Sequence, residues 1–212
     1  MSTSSLSKIE KQIKLYKHGK VPKELRIAQI VETAKIMFAD FGYTNSSMDE
    51  LAKRVKVSKP VIYELVVSKE NLFKILLDEA GKELHENIQT AVDACESLDN
   101  KLRSGGLAFF NFVKTHQPLW LALFVNDQGL FNKEINLIRE EQAELVANLI
   151  FSSNAFTGVT PAYIDGIAHA LNGAYEALAR WWFEHPDIEA TTLANWIVEL
   201  LLPAISLANQ QF

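Results

Sequence analysis

Cysteine is almost absent from the 212-residue chain: Cys95 stands alone, which excludes an internal disulfide framework and any zinc site built from this chain's cysteines. Its ordinary role is that of a small buried hydrophobe. No stretch approaches the roughly 18 uninterrupted apolar residues of a membrane span. Met1 is followed by Ser, Thr and Lys, without the apolar run of a secretion signal. The expectation is a cytoplasmic protein with no membrane partner, in which the acceptor pattern Asn45-Ser46-Ser47 carries no glycan. There is no glycine-rich phosphate loop, no HExxH and no nucleophile elbow. The histidines at 18, 85, 116, 169 and 185 lack metal-ligand spacing, and Glu79, Glu83 and Glu86 around His85 read as a solvated helix face. No catalytic residue, metal or cofactor is expected. Fibrous and low-complexity segments are missing too, and with 48% hydrophobic and 22% charged residues the chain can build a real core.

What is present is a sorted charge. Residues 1–74 hold fourteen basic against eight acidic residues, and residues 75–212 hold seven against eighteen, within a net charge of -5. A basic head suits a polyanionic partner, whereas the acidic body would be repelled by DNA and suits another task.

Residues 1–24 form a basic flexible arm or a short extra helix. Their lysines recur every three residues, while Leu6, Ile9, Ile13 and Tyr16 fall on one helical stripe that would end near His18-Gly19. From Leu25 to Phe41, apolar steps of three and four predict an amphipathic helix, stopped at Gly42. Ser47-Met48-Asp49-Glu50 reads as a capping box opening a second helix to about Val55. Ser58 can cap a third, with Pro60 in its first turn, and Ser68 a fourth that continues past Ala91. Helix two, a short turn and helix three make a helix-turn-helix, with helix one packed across them.

The wording of these segments is specific: Ile30 to Phe41, Gly42-Tyr43, Ser47-Met48-Asp49-Glu50-Leu51-Ala52, Val57-Ser58-Lys59-Pro60-Val61-Ile62-Tyr63 and Ser68-Lys69-Glu70-Asn71-Leu72. Over residues 25–77, a quarter of the chain, it resembles the DNA-binding domain of the TetR family of transcriptional regulators. The resemblance implies an all-helical homodimer with an N-terminal three-helix DNA-binding domain at 25–74. A larger C-terminal helical bundle at 75–212 would bind a small effector and dimerise through about 161–208, for about nine helices in all. Carried over by position, the DNA contacts fall on Ser47, Lys59, Pro60, Val61, Tyr63 and Lys69. Ser47, Tyr63 and Lys69 suit phosphates, and Lys59, Pro60 and Val61 suit base edges or a thymine methyl. Glu64 must accept from a cytosine amino group or point away from phosphate. The chain departs from the family's pattern at Lys56 (commonly glycine), Leu65 (often histidine) and Val66 (usually phenylalanine).

Past residue 95 the chain reads as further helices. They are expected over Leu98 to His116, a short segment from Pro118 to Val125, a helix capped by Asn132, one from Thr160-Pro161 to His185-Pro186, and a last from Ile188 to Ala208 bent near Pro203. Phe109, Phe110, Phe112, Trp120, Phe124 and Phe131 crowd aromatic area together. They are either core or the lining of an effector pocket, with His116, Asn126, His169 or Asn172 as polar fixing groups. Gly166, Ala170, Gly173, Ala174 and Ala177 form a small-residue stripe for close helix approach, and the final helix carries Trp196, Ile197, Leu200 and Leu201. The Trp181-Trp182 pair resembles family members that answer to lipid-like or acyl-thioester ligands. The expected function is therefore a ligand-responsive regulator, a repressor of a palindromic operator on double-stranded DNA. The alternative is a helical enzyme or binding module without DNA function.

Overall fold

A computed structural model describes residues 2–16, 20–117, 119–120, 130–153 and 158–211, without the side chains of 2–4, 201–202 and 204–211. Among these residues there are nine helices and no strand: α1 Ser2–Lys14, α2 Lys23–Asn45, α3 Met48–Val55, α4 Lys59–Val66, α5 Lys69–Asp93, α6 Leu98–Thr115, α7 Asn132–Ser152, α8 Pro161–Trp182 and α9 Ala190–Gln211. The chain divides into two compact units, one over Met1–Glu79 with Leu119 and Trp120, the other over Ala80–Gln117 and the described residues from 130 onward. The division falls inside α5, after Glu79, a few residues beyond the boundary at 74 read from the sequence.

In the first unit α2 is the central packing element. Ile30, Ala34 and Phe38 of α2, Leu51 and Val55 of α3, Ile62 and Val66 of α4, and Leu72, Phe73 and Leu76 of α5 are all buried. Each contributes about 1.5–3 kcal/mol of apolar transfer if it is a full-sized side chain. Phe38 and Phe73 meet edge to face at 5.3 Å, and Tyr43 lies 4.8 Å from Phe73. α1 packs on α2, its Leu6, Ile9 and Ile13 half-buried and its Lys8, Lys11 and Lys14 exposed. The expected end of this helix at His18-Gly19 lies outside the described residues.

Gly42 does break the helical path, at φ 74°, ψ 170°, and a further turn reaches Asn45. The buried Ser46 hydroxyl closes that turn by donating to the Gly42 carbonyl at 2.7 Å. Lys35 pairs with Glu32 of its own helix at 2.7 Å and ties α2 to α5 through Glu79 at 2.8 Å.

In the second unit α6 packs on α9 and α7 on α8. Phe110 is fully buried against Tyr175 and Trp182. Arg139 of α7 grips Glu176 of α8 with both guanidinium bonds at 2.7 Å, and Arg103 of α6 reaches Asn195 of α9 at 2.8 Å. Several helix ends differ from the sequence expectation, the last helix running Ala190–Gln211 rather than from Ile188 to Ala208. Asn132 lies inside α7, with Phe131 at the cap position and no side-chain cap, and α8 stops at Trp182 rather than at His185-Pro186. There the Trp182 indole donates to the Ile188 carbonyl at 2.7 Å, a pairing that local pattern does not encode. Cys95 sits half-buried between α5 and α6, its sulfur 3.2 Å from the Ser104 hydroxyl.

Candidate nucleic-acid interface

The helix-turn-helix is assembled by local bonds. The Ser47 hydroxyl accepts the Glu50 amide at 3.1 Å and opens α3, while the Glu50 carboxylate accepts from Arg54 at 3.0 Å instead of completing the expected reciprocal box. Lys56 ends α3 in the left-handed region, at φ 59°, ψ 46°. Its amide bonds Lys53 at 3.2 Å and the Val57 amide bonds Ala52 at 3.1 Å, a Schellman closure. This explains the glycine usual here in the family's pattern: the position demands a positive φ, and lysine accepts it at some cost.

Ser58 precedes α4 as its cap, its backbone in the extended cap geometry without a side-chain cap bond; its carbonyl accepts the Ile62 amide at 3.3 Å. Ile62 and Val66 point into the core, and the same helical phase leaves Lys59, Pro60, Tyr63 and Glu64 exposed, with Val61 at the edge. Lys59 donates to Asp49 at 2.7 Å and lies 6.0 Å from the Tyr63 ring centre. The hydrogen bond and the charge of Asp49 hold its ammonium above the ordinary lysine range.

Beyond α4, Val67 adopts φ 65°, ψ -54°, and the Ser68 amide donates to the Val66 carbonyl at 2.7 Å, closing a γ-turn at a β-branched residue. Ser68 and Asn71 brace it: the Ser68 hydroxyl accepts the Asn71 amide at 3.0 Å, and the Asn71 side chain donates to Val66 at 3.1 Å. Lys69 opens α5 with its ammonium on the Thr44 carbonyl at 3.2 Å and 4.4 Å from the Tyr43 ring centre; desolvation lowers its pKa. All seven expected DNA-contact residues thus lie in one unit, and Ser47, Lys59, Pro60, Tyr63 and Glu64 are exposed. Asp49 escaped the sequence reading, where it was only a member of the capping box.

The residues expected to line an effector pocket are distributed differently. Phe109 is buried against Phe110 and Tyr175, at 5.3 Å from each. Phe112 stacks on His116 at 4.3 Å, and His116 faces Glu83 at 3.0 Å. Asn172 donates to the Arg139 carbonyl at 3.1 Å, and His169 is solvent-exposed beside Asp165 and Glu140. Trp120 is buried in the first unit, and Phe124 and Asn126 lie outside the described residues. None of the six described residues among the expected ligand contacts lines the open groove of about 760 Å³ between α5, α6 and α7, whose walls include Lys82, His85, Lys101 and Glu144. The Gln142 amide nitrogen is buried without a hydrogen-bond partner among the described residues. Leaving such a donor unsatisfied costs about 1–3 kcal/mol.

Comparison with known proteins matches both parts. A family model described as bacterial regulatory proteins, tetR family, covers residues 30–76, and one described as tetracyclin repressor-like, C-terminal domain, covers residues 98–203. The chain is 32% identical over 109 residues to the HTH-type transcriptional activator FasR of Mycolicibacterium smegmatis, an alignment spanning 51% of this chain and 50% of FasR. It therefore matches about half the length of that relative. It is 24% identical over 182 residues to the uncharacterized HTH-type transcriptional regulator YhgD of Bacillus subtilis, covering 84% of this chain and 95% of YhgD. A TetR-like regulator from Rhodococcus sp. RHA1 superposes with a TM-score of 0.68 at 29% identity, over 88% of this chain and 99% of that one. FadR from Bacillus subtilis, solved in complex with stearoyl-CoA, superposes with a TM-score of 0.67 over 82% and 96%, and its 19% identity speaks to the fold.

Proposed function

The chain belongs to the TetR family of bacterial transcriptional regulators, and from that premise we propose that it binds a palindromic operator as a homodimer, represses from it and is released by a small apolar effector. As a family member it is a DNA-binding regulator and not an enzyme. The observation that carries the proposal is the outer face of α4, exposed on a helix whose other side is locked into the core by Ile62 and Val66. In this reading Ser47, Tyr63 and Lys69 fix register on phosphates, Lys59, Pro60 and Val61 meet bases, and Glu64 takes a cytosine amino group. Residues 25–74 are the DNA-binding domain, 75–212 the effector and dimer domain, and the working compartment is the cytoplasm.

Dimerisation through about 161–208 is supported by what α8 leaves uncovered. Gly166, Ala170, Gly173, Ala174 and Ala177 are all exposed, beside the half-exposed Trp181 and Trp196, 6.3 Å apart. Two copies meeting on such a face would bury it isologously, and reading two half-sites requires two α4 helices about 34–36 Å apart, one turn of DNA. The effector is taken to be lipid-like or an acyl thioester, with Phe109, Phe112, His116, His169 and Asn172 of the second unit as its contacts. FadR with stearoyl-CoA shares the fold and suggests the first compound to try. An effector can release DNA only by preferring the geometry with the wrong spacing.

The test is fluorescence anisotropy on duplexes from the DNA flanking the gene, each beside its scramble, at several salt concentrations. Preference for one duplex by about a thousandfold or more is expected, with loss on adding stearoyl-CoA. Equal binding to every duplex and its scramble would overturn operator recognition, and a monomer at micromolar concentration in sedimentation would overturn the dimer. Indifference to acyl thioesters would overturn the effector class alone.

A further inference from the structure

Asp49 lies outside the set of DNA contacts carried over from the family, yet its carboxylate accepts from Lys59 at 2.7 Å. The two residues stand in the first turns of α3 and α4 and meet only because the helix-turn-helix folds. More than half of each side chain is exposed, 61% for Asp49 and 51% for Lys59. Such a pair adds little to stability, so folding alone does not call for it.

Its placement matters for readout. Lys59 is the one cation of α4 and its first residue, and the first residues of a recognition helix are those that reach base edges. A lysine stem is long and flexible, free by itself to swing out to a phosphate. Here Asp49 holds the ammonium and the Tyr63 ring lies 6.0 Å away. An ammonium has three donors, so two stay uncommitted when Asp49 takes one. The paired charge is worth less to a diffuse phosphate field, whereas the fixed N7 and O6 acceptors of a guanine suit a donor already held in place.

We propose that Asp49 is a positioning residue for sequence readout, holding Lys59 toward a base edge and away from the phosphates. The inference rests on the DNA-binding reading above. It is tested with Asp49→Asn, alone and in a Lys59→Gln background, on the tightest duplex recovered from genomic fragments and on its scramble, across a salt series. With Lys59 present, Asp49→Asn should bind the scramble about three- to fivefold tighter, the reach of an exposed pair. Its salt slope should steepen by about 0.9, one more phosphate neutralised. The recovered duplex should bind no tighter, so discrimination falls by the same factor. In the Lys59→Gln background, Asp49→Asn should leave discrimination unchanged. An equal gain on both duplexes, or the same loss of discrimination without Lys59, would show that Asp49 acts by its charge alone and overturn the proposal. A wild-type protein that prefers no duplex to its scramble overturns the parent reading and this one with it.

Discussion

Gly106 of α6 and Tyr175 of α8 compete for one space: a β-carbon at 106 would stand 3.0 Å from the ring Cε1 and 3.1 Å from Cζ, and closer still to the phenolic oxygen. The missing side chain is what lets the ring settle 5.6 Å from Phe110 and 5.3 Å from Phe109. Helix propensity alone would favour alanine at 106 by about 1 kcal/mol. Overpacking costs about 1–3 kcal/mol and outweighs it. Gly106→Ala is therefore expected to lower the urea midpoint, and a rise would mean that the ring can retreat.

The same tyrosine sets an alkaline limit. Burial pushes the Tyr175 phenol well above its ordinary 10.0, so the fold favours the neutral form. That contribution is whole below pH 10, where the unfolded chain is also protonated, and is lost as pH rises because the unfolded chain gives up its proton first. Unfolding free energy should fall above that point by about 1.4 kcal/mol per pH unit from this group. In urea titrations, Tyr175→Phe should show a shallower decline; identical slopes would mean the phenol ionises within the fold.

Val67 holds a backbone conformation in which its side chain, 70% exposed, gains nothing. Positions of this kind cost about 1–3 kcal/mol, and glycine relieves most of that while adding unfolded-state entropy. Val67→Gly is expected to raise stability by about 1 kcal/mol, seen as a Tm increase of about 2–4 °C. Lys56→Gly should gain less, since its left-handed geometry is the better populated one. A Tm that drops for Val67→Gly would show that the γ-turn is not strained.

Glu176 is mostly covered, with 15% of its side chain exposed, and both its oxygens bond Arg139. Glu176→Gln keeps the shape and removes the charge. The expected cost is about 1 kcal/mol, discounted for the partly exposed guanidinium and shrinking with added salt. No change in chemical denaturation at low salt would mean that α7 and α8 are held by packing alone.

Much of the head was legible because one periodicity does two jobs. The phase that buries Ile62 and Val66 also turns Lys59 and Tyr63 outward, and Ser47, Ser68 and Thr160 announce helix starts by side-chain oxygens that do cap. Helix ends were less legible, as at Trp182, because their groups find partners several residues away. The Asp49–Lys59 pair depends on how two helices cross, which spacing along either one does not encode. In the body, composition located the aromatic residues but not their pairings. Tyr175, absent from that group in the sequence reading, is the ring on which Phe109 and Phe110 converge.

Cys95, half-buried where α5 gives way to α6, is the chain's one thiol. A spectroscopic probe attached to it needs no engineered site and no removal of competing cysteines. In a symmetric dimer it reports one probe-to-probe distance, which an effector or a duplex can lengthen or shorten. In a monomer it reports none.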